Sequence, residues 1–178
     1  MRIAVRKEGG AGERRVAIVP ESIKRLAAKK IDVSVEAGAG AASFASDDEY
    51  RAAGARVDAS TDALLADADA VLQIRPPTVA DVAKLKEGST LVSLLFPLVD
   101  HDVVRALAAR KVTSFAADMI PRTTLAQMMD VLSSQATAAG YEAVLLAATS
   151  LPPLPDYDRA NEFLIRARRL AASPEYAR

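Results

Sequence analysis

The polar residues best suited to chemistry lie in one stretch, "IPRTTLAQMMDVLSSQATAAGY", residues 120–141. It contains Arg122, Gln127 and Asp130, in and around the first two turns of a predicted helix. Thr124 and Gln127 have the three-residue spacing of a capping box. The negative charge of Asp130 would interact favourably with the positive, N-terminal end of the helix dipole. Arg122 has no such role, because a cation at a helix N-terminus is mildly unfavourable. These polar residues either cap and solvate the helix start or hold a ligand.

Two further positions could bind an anion, because the guanidinium fork matches a carboxylate or a phosphate. Arg15 follows Arg14 in "GERRVA", residues 12–17, at the end of the first loop. Arg75 stands between an apolar run and two prolines. Both arginines also fit the simpler role of a solvated surface charge. His101, the only histidine, fits a surface residue at a helix start.

The overall composition removes several classes of function. The chain has 178 residues with 23 Lys+Arg and 23 Asp+Glu, so it has no net charge and no basic stripe for nucleic acid. It has no Cys and one His, which excludes a disulfide framework, a thiolate metal site and imidazole clusters. No apolar run approaches the ~20 residues of a membrane span, and the N-terminus lacks the apolar core of a signal peptide. We therefore expect a cytoplasmic protein without direct membrane insertion.

Short apolar runs alternate with helical patterns, and the alternation predicts the fold. The predicted strands are residues 2–5, 31–38, 70–74, 90–95 and 112–116. Helical patterns follow them, with Pro20 in a first helical turn and Ser46 with Glu49 as a capping box. About five β-α repeats predict an α/β domain, a mostly parallel sheet with helices on both faces, in Rossmann-like or flavodoxin-like three-layer form. Ligands of such sheets lie outside the carboxyl ends of the strands.

The predicted domain comprises residues 1–148 and ends in a long helix over residues 124–148. Small residues on this helix would let another helix pack closely, which suits a homodimer. They are Ser133, Ala136, Ala139 and Gly140. Residues 149–178 are predicted as a separate segment, a Pro-rich break followed by a helix at about 158–171.

The sequence "GAGAAS", residues 38–43, imitates a dinucleotide fingerprint but does not match it. Ser43 stands at the third glycine position, and no helix opens directly on the segment. A pyrophosphate site needs the strand, the turn and the helix N-terminus together. We interpret the segment as a tight turn. The chain therefore lacks a dinucleotide fingerprint and is not expected to bind a dinucleotide alone.

Three segments resemble the N-terminal domain shared by alanine dehydrogenase and the alpha subunit of proton-translocating NAD(P) transhydrogenase. They are "MRIAVRKEGGAGERRVAIVPESIKRL", "VSVEAGAGAASFASDDEYRAAGA" and "MIPRTTLAQMMDVLSSQATAAGYEAVLLAA". The similarity covers about residues 1–148. The last segment is the most specific, since it resembles the transhydrogenase loop named for its Arg, Gln and Asp. Those three map onto Arg122, Gln127 and Asp130.

The resemblance implies a function in hydride transfer between NAD(H) and NADP(H). In the family, NAD(H) lies between this domain and a Rossmann domain, and the loop faces the NADP(H)-bearing component. Arg122 would then contact the ribose or phosphate region, and Gln127 the nicotinamide ribose. Asp130 and Ser133 would orient the carboxamide or the loop. The implied partners are a second copy and the Rossmann-containing and NADP(H)-binding components, at a cytoplasmic site peripheral to a membrane complex.

Single residues separate the two branches of the family. Alanine dehydrogenases carry a catalytic His after the "TLVSLL" strand, where this chain has Phe96. They use a Lys where Arg75 stands, and the Arg that holds their substrate carboxylate matches Arg15. Oxidative deamination needs a proton acceptor, whereas transfer between two nicotinamides needs two rings held face to face. The residues present favour the transhydrogenase branch.

The chain also departs from the family, which leaves other functions open. The family continues after the long helix into the Rossmann domain, but this sequence has "AATSLPPLPDYDRANEFLIRARRLAASPEYAR" instead. It would therefore supply only part of an NAD site and would not be active alone. A non-catalytic relic or interaction module is the main alternative. An alanine dehydrogenase-type domain is the less favoured one.

Overall fold

The computed structural model describes residues 1–10 and 12–150, with side chains described as far as residue 146. The chain divides into two compact units, Met1–Val131 and Leu132–Arg178. The predicted C-terminal helix at about 158–171 lies outside the described residues.

The first unit is built on a sheet of six parallel strands in the order β3-β2-β1-β4-β5-β6. The strands are β1 Arg2–Val5, β2 Asp32–Glu36, β3 Arg56–Asp58, β4 Ala70–Leu72, β5 Thr90–Ser93 and β6 Thr113–Ala116. The helices are α1 Pro20–Ala28, α2 Asp47–Ala52, α3 Thr61–Asp67, α4 Val79–Lys84, α5 His101–Ala109 and α6 Val131–Ser150. The strand order reverses between β1 and β4. We call the loop that follows the carboxyl end of a strand its exit loop, and the exit loops of β1 and β4 therefore form the topological switch point of the sheet.

Two apolar cores lie on opposite faces of the sheet, which confirms the predicted three-layer fold. Successive strand residues point to opposite faces, and β1 shows this directly. Ala4 belongs to a cluster with residues of α3, α4 and α5, such as Leu65 and Leu107. Val5 belongs to a second cluster, with Ile23 of α1 and Tyr50 of α2.

The helix starts follow the local sequence. Pro20 opens α1, as predicted. Ser46 and Glu49 form the predicted capping box of α2. Thr78 and Asp81 form a second capping box at the start of α4. It was not predicted from the sequence, because the residue three positions after the N-cap is Asp instead of the usual Glu.

The structure corrects the sequence prediction at two places. Strand β3 was missed, because three residues with two charges give no strand signal until they pair with β2. The long helix begins at Val131 instead of residue 124, so the capping box predicted for Thr124 and Gln127 is wrong. Leu125 and Met128 are 95% and 99% exposed, so no packed face extends the helix toward its predicted start.

The segment "GAGAAS" forms the expected turn. Gly38 has φ +71 and is followed by a 3-10 turn at Ala41–Ser43. Among the described helices, none is long and apolar enough to cross a membrane.

Gly40 gives a test of the packing beneath this turn. A Cβ at Gly40 would lie 2.6 Å from the carbonyl oxygen of Ala45 and 2.6 Å from Cε2 of Tyr50. We expect Gly40→Ala to lower the free energy of unfolding by about 1–3 kcal/mol in urea denaturation, because neither neighbour can move freely. Gly9→Ala is the matched control, since nothing lies within 4 Å of its Cβ position. Equal stabilities of the two variants would contradict this packing.

Candidate functional site at the carboxyl edge of the sheet

The exit loops of the four inner strands share one feature: a carboxylate binds a backbone N–H just beyond the strand. After β1, Lys7 N–H donates to Glu36 at 2.9 Å. After β2, Gly38 N–H donates to Asp47 at 2.8 Å. The other two carboxylates each bind two successive N–H groups.

Glu8, just past β1, binds the exit of β4. Its carboxylate accepts from Ile74 N–H at 2.6 Å and from Arg75 N–H at 3.1 Å. Asp118, just past β6, binds the exit of β5 in the same way. It accepts from Leu95 N–H at 2.7 Å and from Phe96 N–H at 3.1 Å.

These carboxylates accept hydrogen bonds from backbone N–H groups that would otherwise be available to an anionic ligand. In doubly wound sheets, phosphates bind backbone N–H groups at the strand ends, most often at the switch point. Here Glu8 bridges the two exit loops of that point, β1 and β4. The Glu8 carboxylate therefore binds two backbone N–H groups that could otherwise donate to an anion.

A salt bridge adds a second link across the switch point. Arg6 Nη2 lies 2.8 Å from Asp81 Oδ1, and both side chains are mostly buried, at 23% and 18% exposure. Burial alone would raise the pKa of Asp81, but hydrogen bonds from Arg6 and Thr78 outweigh it and lower the pKa to about 2. Asp81 thus joins the β1 exit to the start of α4.

The two arginines predicted to bind an anion differ in their surroundings. Arg15 forms a two-pronged pair with Glu13, at 2.7 Å and 2.6 Å. The Arg15 hydrogen bond, assisted by its charge, lowers the pKa of Glu13 to about 2. Arg75 is exposed, and its guanidinium has no ion pair among residues 1–10 and 12–150. Of the two, Arg75 is the one with an uncompensated charge.

The loop after β6 carries Arg122, Gln127 and Asp130. Backbone hydrogen bonds shape it into tight turns, with Ala126 N–H donating to Thr123 O at 3.0 Å and Asp130 N–H to Gln127 O at 3.3 Å. Arg122 and Gln127 are exposed and Asp130 is half-buried. Ala126 is the one buried residue between 121 and 130, at 7% exposure. Arg122 and Gln127 therefore lie exposed on the surface of the first unit.

Ser133 belongs to the second compact unit, in the first turn of α6. Its side chain is exposed, and its carbonyl accepts a hydrogen bond from the Thr137 hydroxyl at 3.2 Å. The first unit holds Arg122, Gln127 and Asp130. Ser133 as a cofactor ligand stays a prediction.

Phe96 has a backbone conformation that is uncommon for a bulky residue, with φ +46. Asp118 binds its N–H, and its carbonyl accepts from Val99 and Asp100 at 2.9 and 3.0 Å. Strain of this kind persists only where the surroundings fix it. The ring is 46% exposed and has no group that can transfer a proton.

Sequence reasoning missed all four carboxylates of this edge, Glu8, Glu36, Asp47 and Asp118. A signal was available for Glu8 and Asp118, because each is an acidic residue two or three positions beyond an apolar strand. Among the described residues, no group of three or more His, Cys, Asp or Glu could hold a metal ion.

The fold and this edge define the class of protein: a doubly wound α/β domain whose described residues form no phosphate-binding loop. The sequence profile described as "Alanine dehydrogenase/PNT, N-terminal domain" matches residues 4–139, and the chain belongs to that family.

Relatives show which branch the chain is nearer to. An NAD(P) transhydrogenase subunit alpha chain of Rhodospirillum rubrum is 43% identical over 150 residues, which are 82% of this chain and 39% of that protein. The alanine dehydrogenase of Halomonas elongata is 34% identical over 151 residues, 85% of this chain and 40% of that protein. The chain thus spans about two fifths of these curated relatives' length.

Solved structures give the same order. A transhydrogenase from Sinorhizobium meliloti matches with a TM-score of 0.79 and 41% identity, covering 84% of this chain and 44% of that one. An L-alanine dehydrogenase matches with a TM-score of 0.64 and 25% identity, covering 67% and 33%. The chain is therefore an N-terminal domain of the transhydrogenase alpha-subunit type, with alanine dehydrogenase more distant.

The Arg6–Asp81 bridge predicts a pH-dependent stability. Because the folded pKa of Asp81 is below its ordinary 3.8, the bridge stabilises the fold above that pH and is lost as pH falls toward about 2. We expect Arg6→Ala to cost about 1–3 kcal/mol at neutral pH, with the difference from wild type shrinking between pH 4 and 2. Urea denaturation at several pH values measures this.

Arg105→Ala is the control, because the Arg105–Asp102 pair is 76% and 80% exposed and contributes about 0–0.5 kcal/mol. A loss in Arg6→Ala that stays constant down to pH 2 would show that the bridge is not the cause.

Proposed function

We propose that the chain forms one wall of the nicotinamide site of an NAD(P) transhydrogenase alpha subunit. In this function it takes part in hydride transfer between NAD(H) and NADP(H), together with a Rossmann-containing component and an NADP(H)-binding component. The family and the relatives' names support the assignment. The protein would act as a homodimer on the cytoplasmic side, peripheral to a membrane complex.

The observation that carries the proposal is the exposed loop after β6. Arg122 and Gln127 extend from it at the carboxyl edge, where ligands of such sheets bind. Leu125 and Met128 beside them are 95% and 99% exposed. Apolar side chains that stand out so far from a folded unit favour a contact with another surface. The loop thus has both polar groups for a ligand and apolar groups for a partner.

Each polar residue then has a defined task. Arg122 binds the ribose or phosphate region through its guanidinium, and Gln127 hydrogen-bonds near the nicotinamide ribose. Asp130 and Ser133 orient the carboxamide or the loop. The cofactors supply the hydride chemistry, and the residues of this chain only bind and orient. No proton acceptor is required, which agrees with Phe96 in place of a histidine.

A partner is necessary in this proposal because the edge itself cannot hold a pyrophosphate. Its inner backbone donors are bound by the carboxylates of Glu8, Glu36, Asp47 and Asp118. The adenosine and pyrophosphate would be held by the Rossmann component. The cofactor site of this chain is therefore partial.

Two other functions have specific support. The exposed Leu125 and Met128 also suit an interaction module of the same fold without chemistry. An alanine dehydrogenase-type domain is consistent with the unpaired cation of Arg75, but Phe96 leaves it without an acid or base for deamination. Reductive amination of pyruvate to alanine by ammonia and NADH, in the presence of a Rossmann component, would favour this last function.

The test is an NADH titration of the chain, alone and with a Rossmann-containing transhydrogenase subunit and an NADP(H)-binding component. We expect nicotinamide fluorescence to change, and hydride to transfer, only in the mixture. Arg122→Ala and Gln127→Ala should each lower the transfer rate by about tenfold or more, because each removes a hydrogen bond or charge contact with the cofactor.

Arg105→Ala provides the matched control, since it removes an exposed arginine from α5 and should leave the rate unchanged. If the folded wild-type chain gives neither a fluorescence change nor hydride exchange in the mixture, the enzymatic proposal is wrong and the interaction module is favoured.

A further inference from the structure

We propose that β6 is the surface through which two copies of this chain associate, each β6 pairing with the other in antiparallel fashion about a two-fold axis. This inference rests on the homodimer of the proposed function and names the surface that forms it. Within the described sheet no strand lies beyond β6. Its residues Thr113, Ser114 and Phe115 are all exposed.

The two edges of the sheet differ in their protection against strand pairing. At one edge, β3 has only three residues, and two of them, Arg56 and Asp58, are charged. Short length and charged side chains are common means of preventing edge-to-edge pairing. At the other edge, β6 reads Thr-Ser-Phe-Ala, with neither a charge nor a proline. The sequence therefore protects β3 and leaves β6 able to accept another strand.

An apolar row across the sheet loses its cover toward β6. The strand register places Val5, Leu72, Val92 and Phe115 side by side on β1, β4, β5 and β6. Val5 is fully buried in the core with α1 and α2, whereas Leu72 and Val92 are half-buried and belong to neither core. Phe115, at the end of the row, is 59% exposed. A continuous apolar row that ends in an exposed ring favours contact with another surface.

The backbone of β6 has hydrogen-bonding groups on its open side. Thr113 N–H donates to Ser89 O at 2.9 Å, in the direction of β5. Because successive N–H groups of a strand point to opposite sides, the N–H and C=O of Ser114 point away from β5. Two copies of Ser114 that face each other across a two-fold axis can exchange both N–H···O bonds. The same groups are then satisfied in both copies.

The side chains of β6 suit this register. Ser114 lies opposite Ser114 of the second copy, where the two hydroxyls can hydrogen-bond, and Phe115 lies opposite Thr113. The two Phe115 residues become diagonal neighbours about 7–8 Å apart, a distance that aromatic side chains can span. A two-fold contact places a patch against itself, so a strand with charges of one sign would repel its copy. The absence of charge from β6 therefore favours a second copy as the occupant.

Pairing through β6 stops at two copies. It uses both β6 edges, and the free edges of the joined sheet are then the two charged β3 strands. The contact is closed and does not extend into a filament. Antiparallel pairing directs the carboxyl ends of the two sheets in opposite directions. Each copy would thus present its own Arg122 and Gln127 to separate partner components.

Sedimentation equilibrium of the full-length chain measures the association, and we expect a reversible dimer in wild type. Ser114→Pro removes the outward N–H and should raise the dimer dissociation constant about tenfold or more. Its pairing with β5 should persist, because an edge strand tolerates proline where the N–H faces outward. Ser114→Thr keeps the N–H and is the matched control, which should dimerise as wild type does.

Gly140→Leu tests the other surface, the small residues of α6. Nothing lies within 4 Å of a Cβ at Gly140, so the chain itself can accommodate the side chain. We expect this variant to dimerise normally. A monomeric wild type, or a dimer weakened by Gly140→Leu and not by Ser114→Pro, refutes the β6 interface. If Ser114→Pro does not fold, Phe115→Lys replaces it, because the exposed ring then becomes a charge close to its copy.

A cysteine cross-link tests the register, because the chain has no Cys of its own. In the proposed register the two Ser114 Cα atoms are about 5.5 Å apart, which a disulfide can bridge. We expect Ser114→Cys to form a covalent dimer under mild oxidation. Arg51→Cys, exposed on α2, is the control and should not. Cross-linking of both variants to the same extent, or of neither, contradicts the register.

Amide exchange at Ser114 identifies the occupant of the edge. A second copy protects this amide only at protein concentrations at which the dimer forms. Protection in the monomer would assign the edge to another segment of the same chain, and protection only after a Rossmann component is added would assign it to that component. Either result refutes the pairing of two copies.

Hydride transfer in the mixture with partner components separates this inference from the proposed function. A wild-type chain that transfers hydride but stays monomeric refutes the β6 interface and leaves the transfer function standing. A wild-type chain that dimerises through β6 but transfers no hydride refutes the function and leaves the interface standing.

Discussion

The structure depends on one constraint: backbone N–H groups that extend beyond the inner strands need acceptors, and the chain provides carboxylates for them. An unsatisfied donor at a partly buried strand end costs about 1–3 kcal/mol. Glu8, Glu36, Asp47 and Asp118 each remove that cost at one exit loop. Glu8 and Asp118 follow a neighbouring strand and Glu36 ends one, so these three also tie neighbouring strand ends to one another. The path of the first loop, which carries Arg14 and Arg15, follows from the contact of Glu8 with the exit loop of β4.

In this arrangement the backbone N–H groups of the edge are bound within the chain, whereas several side chains of the edge are exposed. In a dinucleotide-binding domain of the same topology, the backbone at the switch point binds the phosphates. Here that backbone is occupied, and the groups left for a ligand or partner are exposed side chains, Arg75 at the switch point and Arg122 and Gln127 in the loop after β6. The proposed function therefore assigns the pyrophosphate of the cofactor to another component.

The sequence predicted much of the fold because the periodicity of strands and helices is set locally. The strand β1, the start of α1 at Pro20 and the capping box at Ser46 were all recovered. The strand β3 and the true start of α6 at Val131 were not, since the first forms only by pairing and the second depends on which apolar residues find a core. The predicted site residues Arg122, Gln127 and Asp130 were assigned through the family's motif, and they stay predictions. The carboxylates that close the edge were missed, because their partners are 22–67 residues distant along the chain for Glu8 and Asp118.

The most direct test of the closed edge is amide hydrogen exchange of the full-length chain. The amides concerned are Lys7, Gly38, Ile74, Arg75, Leu95 and Phe96. The account predicts that these loop amides exchange about tenfold or more slowly than the exposed loop amides of Thr124 and Leu125, since each has a carboxylate acceptor. Exchange at the same rate in both groups would contradict it, because the backbone donors of the edge would then be open to a ligand.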